Sequence, residues 1–193
     1  LKGVVKTLPQ HWKTIFPNPQ NGPTRFMGTS YYVDFPQLRL VALDTDGLQW
    51  ISDYTQVVFW LKQTLRNAGD KFTIVMMHHP VYSTAAGRSN PLMWLNFHGA
   101  MREADLVFSG HDHNYARHTE HYKARFWKKE EPTIFIGTNA SIKKYPVKEN
   151  KKYEASLSGE PVYEHIFVTP NTLHISTYTI HSGERIDHVE IIR

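Results

Sequence analysis

The chain has no cysteine, which excludes disulfides, thiolate metal sites and cysteine nucleophiles and leaves the redox compartment open. Long apolar runs are lacking too: stretches such as Phe72–Met77 fall far short of the ~20 residues that span a bilayer. There is no secretory leader, but the first residue is Leu1 and not Met, as expected at a processing, cloning or proteolytic boundary with sequence missing upstream. Internal repeats and low-complexity segments are absent. Charge of a single sign is also scarce. The 22 basic and 18 acidic residues leave a net charge of +4, and the densest basic stretch, Lys143–Lys152, is interrupted by Tyr145, Pro146, Val147 and Glu149. Such a surface attracts phosphate-bearing molecules mildly and gives no argument for nucleic acid.

What is present suits one globular domain with a real core: 193 residues, 40% of them hydrophobic and 21% charged. The first thirty residues read as loop, broken by Pro9, Pro17, Pro19, Gly22, Pro23 and Gly28, with Trp12, Phe16 and Phe26 packing it onto a body. Tyr31–Phe35 and Arg39–Asp44 predict a hairpin. Ser52–Arg66 predicts a helix capped by Ser52, with Val57, Val58, Leu61 and Leu65 on one face and Gly69 as terminator. Phe72–Met77 reads as a strand buried on both faces, and a polar loop over Ser83–Asn90 leads to a second helix over Leu92–Glu103. Leu106–Phe108, Thr133–Ile136, Val162–Val168, Leu173–Thr179 and Ile186–Ile192 are strand-like, the last two forming a terminal hairpin. The class is α/β.

Twelve histidines make any single one weak evidence, and roughly 0.7 His-x-His triplets arise by chance at that density. Context separates two groups from the rest. His78-His79-Pro80 leaves one buried strand, and Gly110-His111-Asp112-His113 leaves another. Ligands in α/β sheets collect beyond the carboxyl ends of strands, so neighbouring strands would converge these rings. Gly110 permits a sharp turn or a close backbone approach. If extended, His111 and His113 point the same way with α-carbons about 6–7 Å apart, a spread suited to one ring on each of two ions. Three imidazoles also suit a single zinc ion with one open position. Zinc, iron, manganese or nickel fits such ligands better than magnesium or calcium.

Met77-His78-His79-Pro80 and Ser109-Gly110-His111-Asp112-His113-Asn114-Tyr115-Ala116-Arg117 resemble the last two blocks of the calcineurin-like metallophosphoesterases, nearest the purple-acid-phosphatase-like branch with its GHxHxYxR block. Tyr31–Phe35, Leu40–Thr45, Gln56–Leu61 and Thr133–Asn139 resemble that family's hairpin, glutamine-led helix and glycine turn. The resemblance implies a four-layer α/β/β/α sandwich, of which residues 1–193 are the C-terminal portion of one domain, its N-terminal ββ/αβ portion missing. It implies hydrolysis of phosphate esters, mono- or diesters, by a metal-activated hydroxide at a dinuclear centre. His78 and His111 would hold one ion and His113 the other, the pair being divalent or mixed-valence Fe, Zn or Mn. His79 would contact phosphate or donate a proton. Arg88, where plant-type relatives carry substrate-binding histidines, would clamp phosphate. Asp112 would orient an imidazole or face solvent, and Tyr115 and Arg117 would line or brace the site. The branch also implies an extracytoplasmic location.

The family's earlier blocks, GDxx, GDxxY and GNH with an acid, are absent, and Gly69-Asp70, at a helix end, is no substitute. The expected activity therefore depends on a missing N-terminal segment as partner, and the chain alone is expected to be inactive. Two other readings stay open: a catalytically incomplete binding or interaction module, and a one-metal hydrolase using only His78, His111 and His113. His118, His121, His165, His174, His181 and His188 match no block and receive no role.

Overall fold

The computed structural model describes residues 11–121, 132–149 and 153–193. Pro9 and the end of the basic stretch, residues 150–152, lie outside them. Residues 11–30 hold one turn of helix, α1 (Trp12–Ile15), and a single 3-10 turn at Thr24–Phe26, and are otherwise irregular. Phe26 is in the core as expected, whereas Phe16 remains half exposed.

The hairpin forms from β1 (Tyr31–Asp34) and β2 (Leu38–Leu43), antiparallel with Tyr31 opposite Ala42. Arg39 closes it, donating from Nε and Nη2 to the two carboxylate oxygens of Asp34. Next comes α2 (Ile51–Arg66), which buries Val57, Leu61 and Leu65 at helical spacing. Its cap differs from the expectation. Trp50 is the boundary residue, and it is Asp53, not Ser52, that accepts the backbone N–H groups of Gln49 and Trp50. Asp53 is the third helical residue, from which a carboxylate reaches back to the amides ahead of the helix as in a capping box; Ser52, the second helical residue, is not the boundary residue that a cap requires. Gly69, at φ 65°, takes the left-handed conformation that ends the helical segment.

Two crossovers place β3 (Phe72–Met77) and β4 (Leu106–Ser109) parallel to β2, with α3 (Pro91–Met101) between them in sequence. The other strands of this sheet are β5 (Tyr115–Glu120), β6 (Thr133–Gly137) and β7 (Ala155–Leu157), in the order β1-β2-β3-β4-β6-β5-β7. The four central strands run parallel and end level, since Leu43 pairs Met77, Met77 pairs Ser109, and Ser109 pairs Gly137. That common edge positions the site.

One face of the sheet packs on α2 and α3 through Val41, Val75, Val107 and Phe135. The other packs on an antiparallel sheet of β8 (Val162–Val168), β9 (Thr172–Thr179) and β10 (Arg185–Ile192), through Ile74, Leu106 and Ile136 against Val162, Leu173 and Ile175. Period-two alternation explains both faces of β3, whose odd and even residues enter different cores. The result is an α/β/β stack, three layers of the expected sandwich. Among the described residues, no helix is long and apolar enough to cross a membrane.

Candidate metal centre

Each parallel strand delivers its next residues to the common edge: Thr45 beyond β2, His78 and His79 beyond β3, and Gly110 and His111 beyond β4. Three imidazoles meet there. The ring centroids are 4.9 Å apart for His78 and His79, 5.1 Å for His78 and His111, and 4.7 Å for His79 and His111. One ring nitrogen from each lies within 4.8 Å of the others, and His111 Nδ1 is 3.2 Å from His78 Nε2. Gly110 borders His78; a Cβ on it would stand 3.5 Å from His78 Nδ1. Burial first, then the neighbouring His79, Arg88 and His78, hold the His111 pKa below its ordinary value and favour the neutral ring.

The His111–His113 segment is not extended. Both histidines adopt left-handed backbone, at φ 66° and φ 48°, a conformation that costs a non-glycine residue about 1–2 kcal/mol. What offsets this lies between and after them. Asp112 and Asn114, each 1% exposed, turn inward. The Asp112 carboxylate accepts bonds from Ser83 Oγ at 2.8 Å and the backbone N–H groups of Thr84 and Ala85 at 2.6 and 3.2 Å. Asn114 Oδ1 accepts from Thr84 Oγ1 at 2.6 Å. Asp112 therefore neither orients an imidazole nor faces solvent; it pins the loop after Pro80 to the loop after β4.

The ring of His113 leaves on a different line from that of His111. Its Nδ1 is 3.1 Å from Ser141 Oγ, and its ring stands 5.5 Å from that of Tyr145. The structure thus gathers His78, His79 and His111, and sets His113 beside the 139–145 loop. Arg88 donates to the carbonyl of His111 at 3.1 Å and stacks over Tyr145 at 4.4 Å, forming a rim next to the imidazoles. Tyr115 and Arg117 are elsewhere. The Tyr115 hydroxyl donates to Asp187 Oδ2 at 2.6 Å, and Arg117 pairs with both oxygens of Asp187 and with Glu154. They tie the first sheet to β10 and do not line the site. Burial, first, and then the hydrogen bond to Asp187 raise the Tyr115 pKa far above its ordinary value.

Two contributors escaped sequence reasoning. Buried Thr45 places Oγ1 at 3.1 Å from both the backbone N and the Nδ1 of His79, fixing that ring. A hydroxyl after a strand carries no signal until its partner is known. Tyr145 has its phenol pKa drawn below the ordinary value by a hydrogen bond to Lys143 and, less, by Arg88, so the rim is electropositive. A cavity of about 330 Å³ opens beside His79, walled by Thr45, Leu48, Tyr54, Leu92 and Met93.

A strand-end cluster of three imidazoles lies on a two-sheet α/β stack, and the family model for calcineurin-like phosphoesterases matches residues 11–115. The chain belongs to that family. It is 32% identical over 94 residues to the glycerophosphodiester phosphodiesterase GpdQ of Enterobacter lignolyticus (strain SCF1), covering 44% of this chain and 33% of that protein. The chain therefore spans about a third of the length of that curated relative. Among solved structures it is similar to GAP50, described as the anchor in the inner membrane complex of Plasmodium, with TM-score 0.62 and 18% identity over 84% of this chain and 53% of that one. PhoD aligns with TM-score 0.57 and 12% identity, covering 86% of this chain and 41% of its own. These two likenesses show the fold alone.

Proposed function

We propose that these residues form the histidine side of a centre hydrolysing phosphate esters. The observation that carries this reading is the convergence of His78, His79 and His111 within 4.8 Å at the level ends of parallel strands. The donor set fits one borderline ion of the zinc, iron or manganese kind. A bound ion would supply Lewis acidity toward a phosphoryl oxygen and acidify bound water. His78 and His111 would hold it. Thr45 keeps His79 facing the same point, where its Nε2 can contact the ion or exchange a proton with the ester. Arg88 braces the carbonyl of His111 and, with Lys143, gives the rim positive charge toward an anionic substrate. The partly apolar cavity beside His79 would receive the ester's alcohol.

A dinuclear centre of the purple-acid-phosphatase-like kind would need His113 for a second ion and a bridging carboxylate from an N-terminal segment outside these residues. A second reading, a binding module, is favoured by one fact: among the described residues no carboxylate joins the His78–His79–His111 group.

The test is turnover of 4-nitrophenyl phosphate and bis(4-nitrophenyl) phosphate by the full-length protein. The proposal expects His78→Ala and His111→Ala each to lower kcat/KM at least about 100-fold. Turnover unaffected by both variants would overturn the proposal, and no turnover by the parent with zinc, iron or manganese supplied points to the binding module.

A further inference from the structure

A second set of ligand atoms lies on the outer face of the three-stranded sheet, independent of the phosphoesterase reading. On β9, Leu173 and Ile175 point into the core, so His174 and Ser176 point outward. On β10, Val189 and Ile191 pack inward, so His188 and Glu190 share that outer face. The register sets His174 opposite Glu190 and Ser176 opposite His188, a two-by-two block on one surface. Cross-strand neighbours of this kind have Cβ atoms about 4.5–5.5 Å apart, close enough for side chains to share an ion.

The contacts are specific. Glu190 Oε1 lies 3.0 Å from His174 Nδ1 and 3.0 Å from His188 Nε2. All three ligand atoms fall within 4.8 Å of one another. Ser176 Oγ, 2.9 Å from His188 Nδ1, can take that N–H and leave Nε2 with its lone pair for an ion. Phe167 flanks the His174 ring at 5.9 Å and gives the group an apolar wall. Two imidazoles and one carboxylate are a zinc-type donor set with one position left for water, and imidazole disfavours magnesium and calcium. Without an ion, both imidazoles must carry a proton toward the same carboxylate oxygen. An ion replaces those protons, and the paired strands hold its ligands in place beforehand.

We propose that His174, His188 and Glu190 form a mononuclear site for a divalent transition metal of the zinc class, bridging β9 and β10 and separate from the His78–His111 centre. The test is cobalt(II) titration of the chelator-stripped full chain, read by visible d–d absorption, with zinc competition. His174→Ala and His188→Ala should each lose one equivalent, while the His78→Ala,His111→Ala double variant retains it. Ser176→Ala should keep the equivalent but bind it about 10-fold more weakly. All three substitutions sit on the outer face, and circular dichroism checks that the sheet persists. The proposal is overturned if His174→Ala and His188→Ala titrate like the parent protein, or if every equivalent disappears in the His78→Ala,His111→Ala variant.

Discussion

Asp112 and Asn114 turn inward where His111 and His113 turn outward, and left-handed backbone at the two histidines makes the alternation possible. Removing the inward carboxylate would strand Ser83 Oγ and the N–H groups of Thr84 and Ala85 without their acceptor. Asp112→Ala is expected to cost about 3 kcal/mol, read as a lower urea midpoint, and to weaken metal binding through His111. Asp34 makes a separate prediction with a definite sign. Its hydrogen bond to Arg39, with the help of Lys71, holds the carboxyl at about 2, below the ordinary 3.8. A depressed carboxylate stabilises the fold above its unfolded value and stops doing so as pH falls through the folded one. The stability gap between the parent and Asp34→Asn should therefore be full above pH 4 and vanish near pH 2, measured as Tm against pH. At this scale the two histidine blocks were legible because each follows a buried apolar run. Which rings meet was not, because left-handed backbone at His111 and His113 is invisible in residue type and redirects both.

Strands β2, β3, β4 and β6 end level, and the three loops that follow the first three supply Thr45, His78, His79 and His111. The helices that make this possible were readable from spacing: Val57, Leu61 and Leu65 recur on one face of α2 as expected, and they are buried. Asp53 holds the start of α2, accepting from Gln49, Trp50 and Arg25. Asp53→Ala should destabilise by about 1–2 kcal/mol and lower the thermal midpoint, whereas Ser52→Ala should change little. Two strands were not legible. β5 follows its apolar start with Arg117, His118, Thr119 and Glu120, and is a strand because β6 and β7 flank it. β7 is only three residues long. Neither shows the alternation by which β9 and β10 announce themselves.

Across the whole molecule, two sheets share a core, and Tyr115 and Arg117 reach through it to Asp187 on β10. Those two residues resemble site residues in their motif, yet the sheet–sheet contact absorbs them; distance between layers is a property no local pattern carries. The histidines, by contrast, stay at the open edge, where His78 is exposed and His79 and His111 are half-buried. The central claim is that this edge binds an ion needed for phosphate-ester hydrolysis. Its most direct test is the metal content and bis(4-nitrophenyl) phosphate turnover of the full-length protein, measured in a His174→Ala background to remove the cluster on the outer sheet. The account predicts at least one tightly held transition-metal ion per molecule, lost together with turnover in His78→Ala,His111→Ala while the circular dichroism spectrum is unchanged. An unchanged metal content and undiminished turnover in that variant would contradict it.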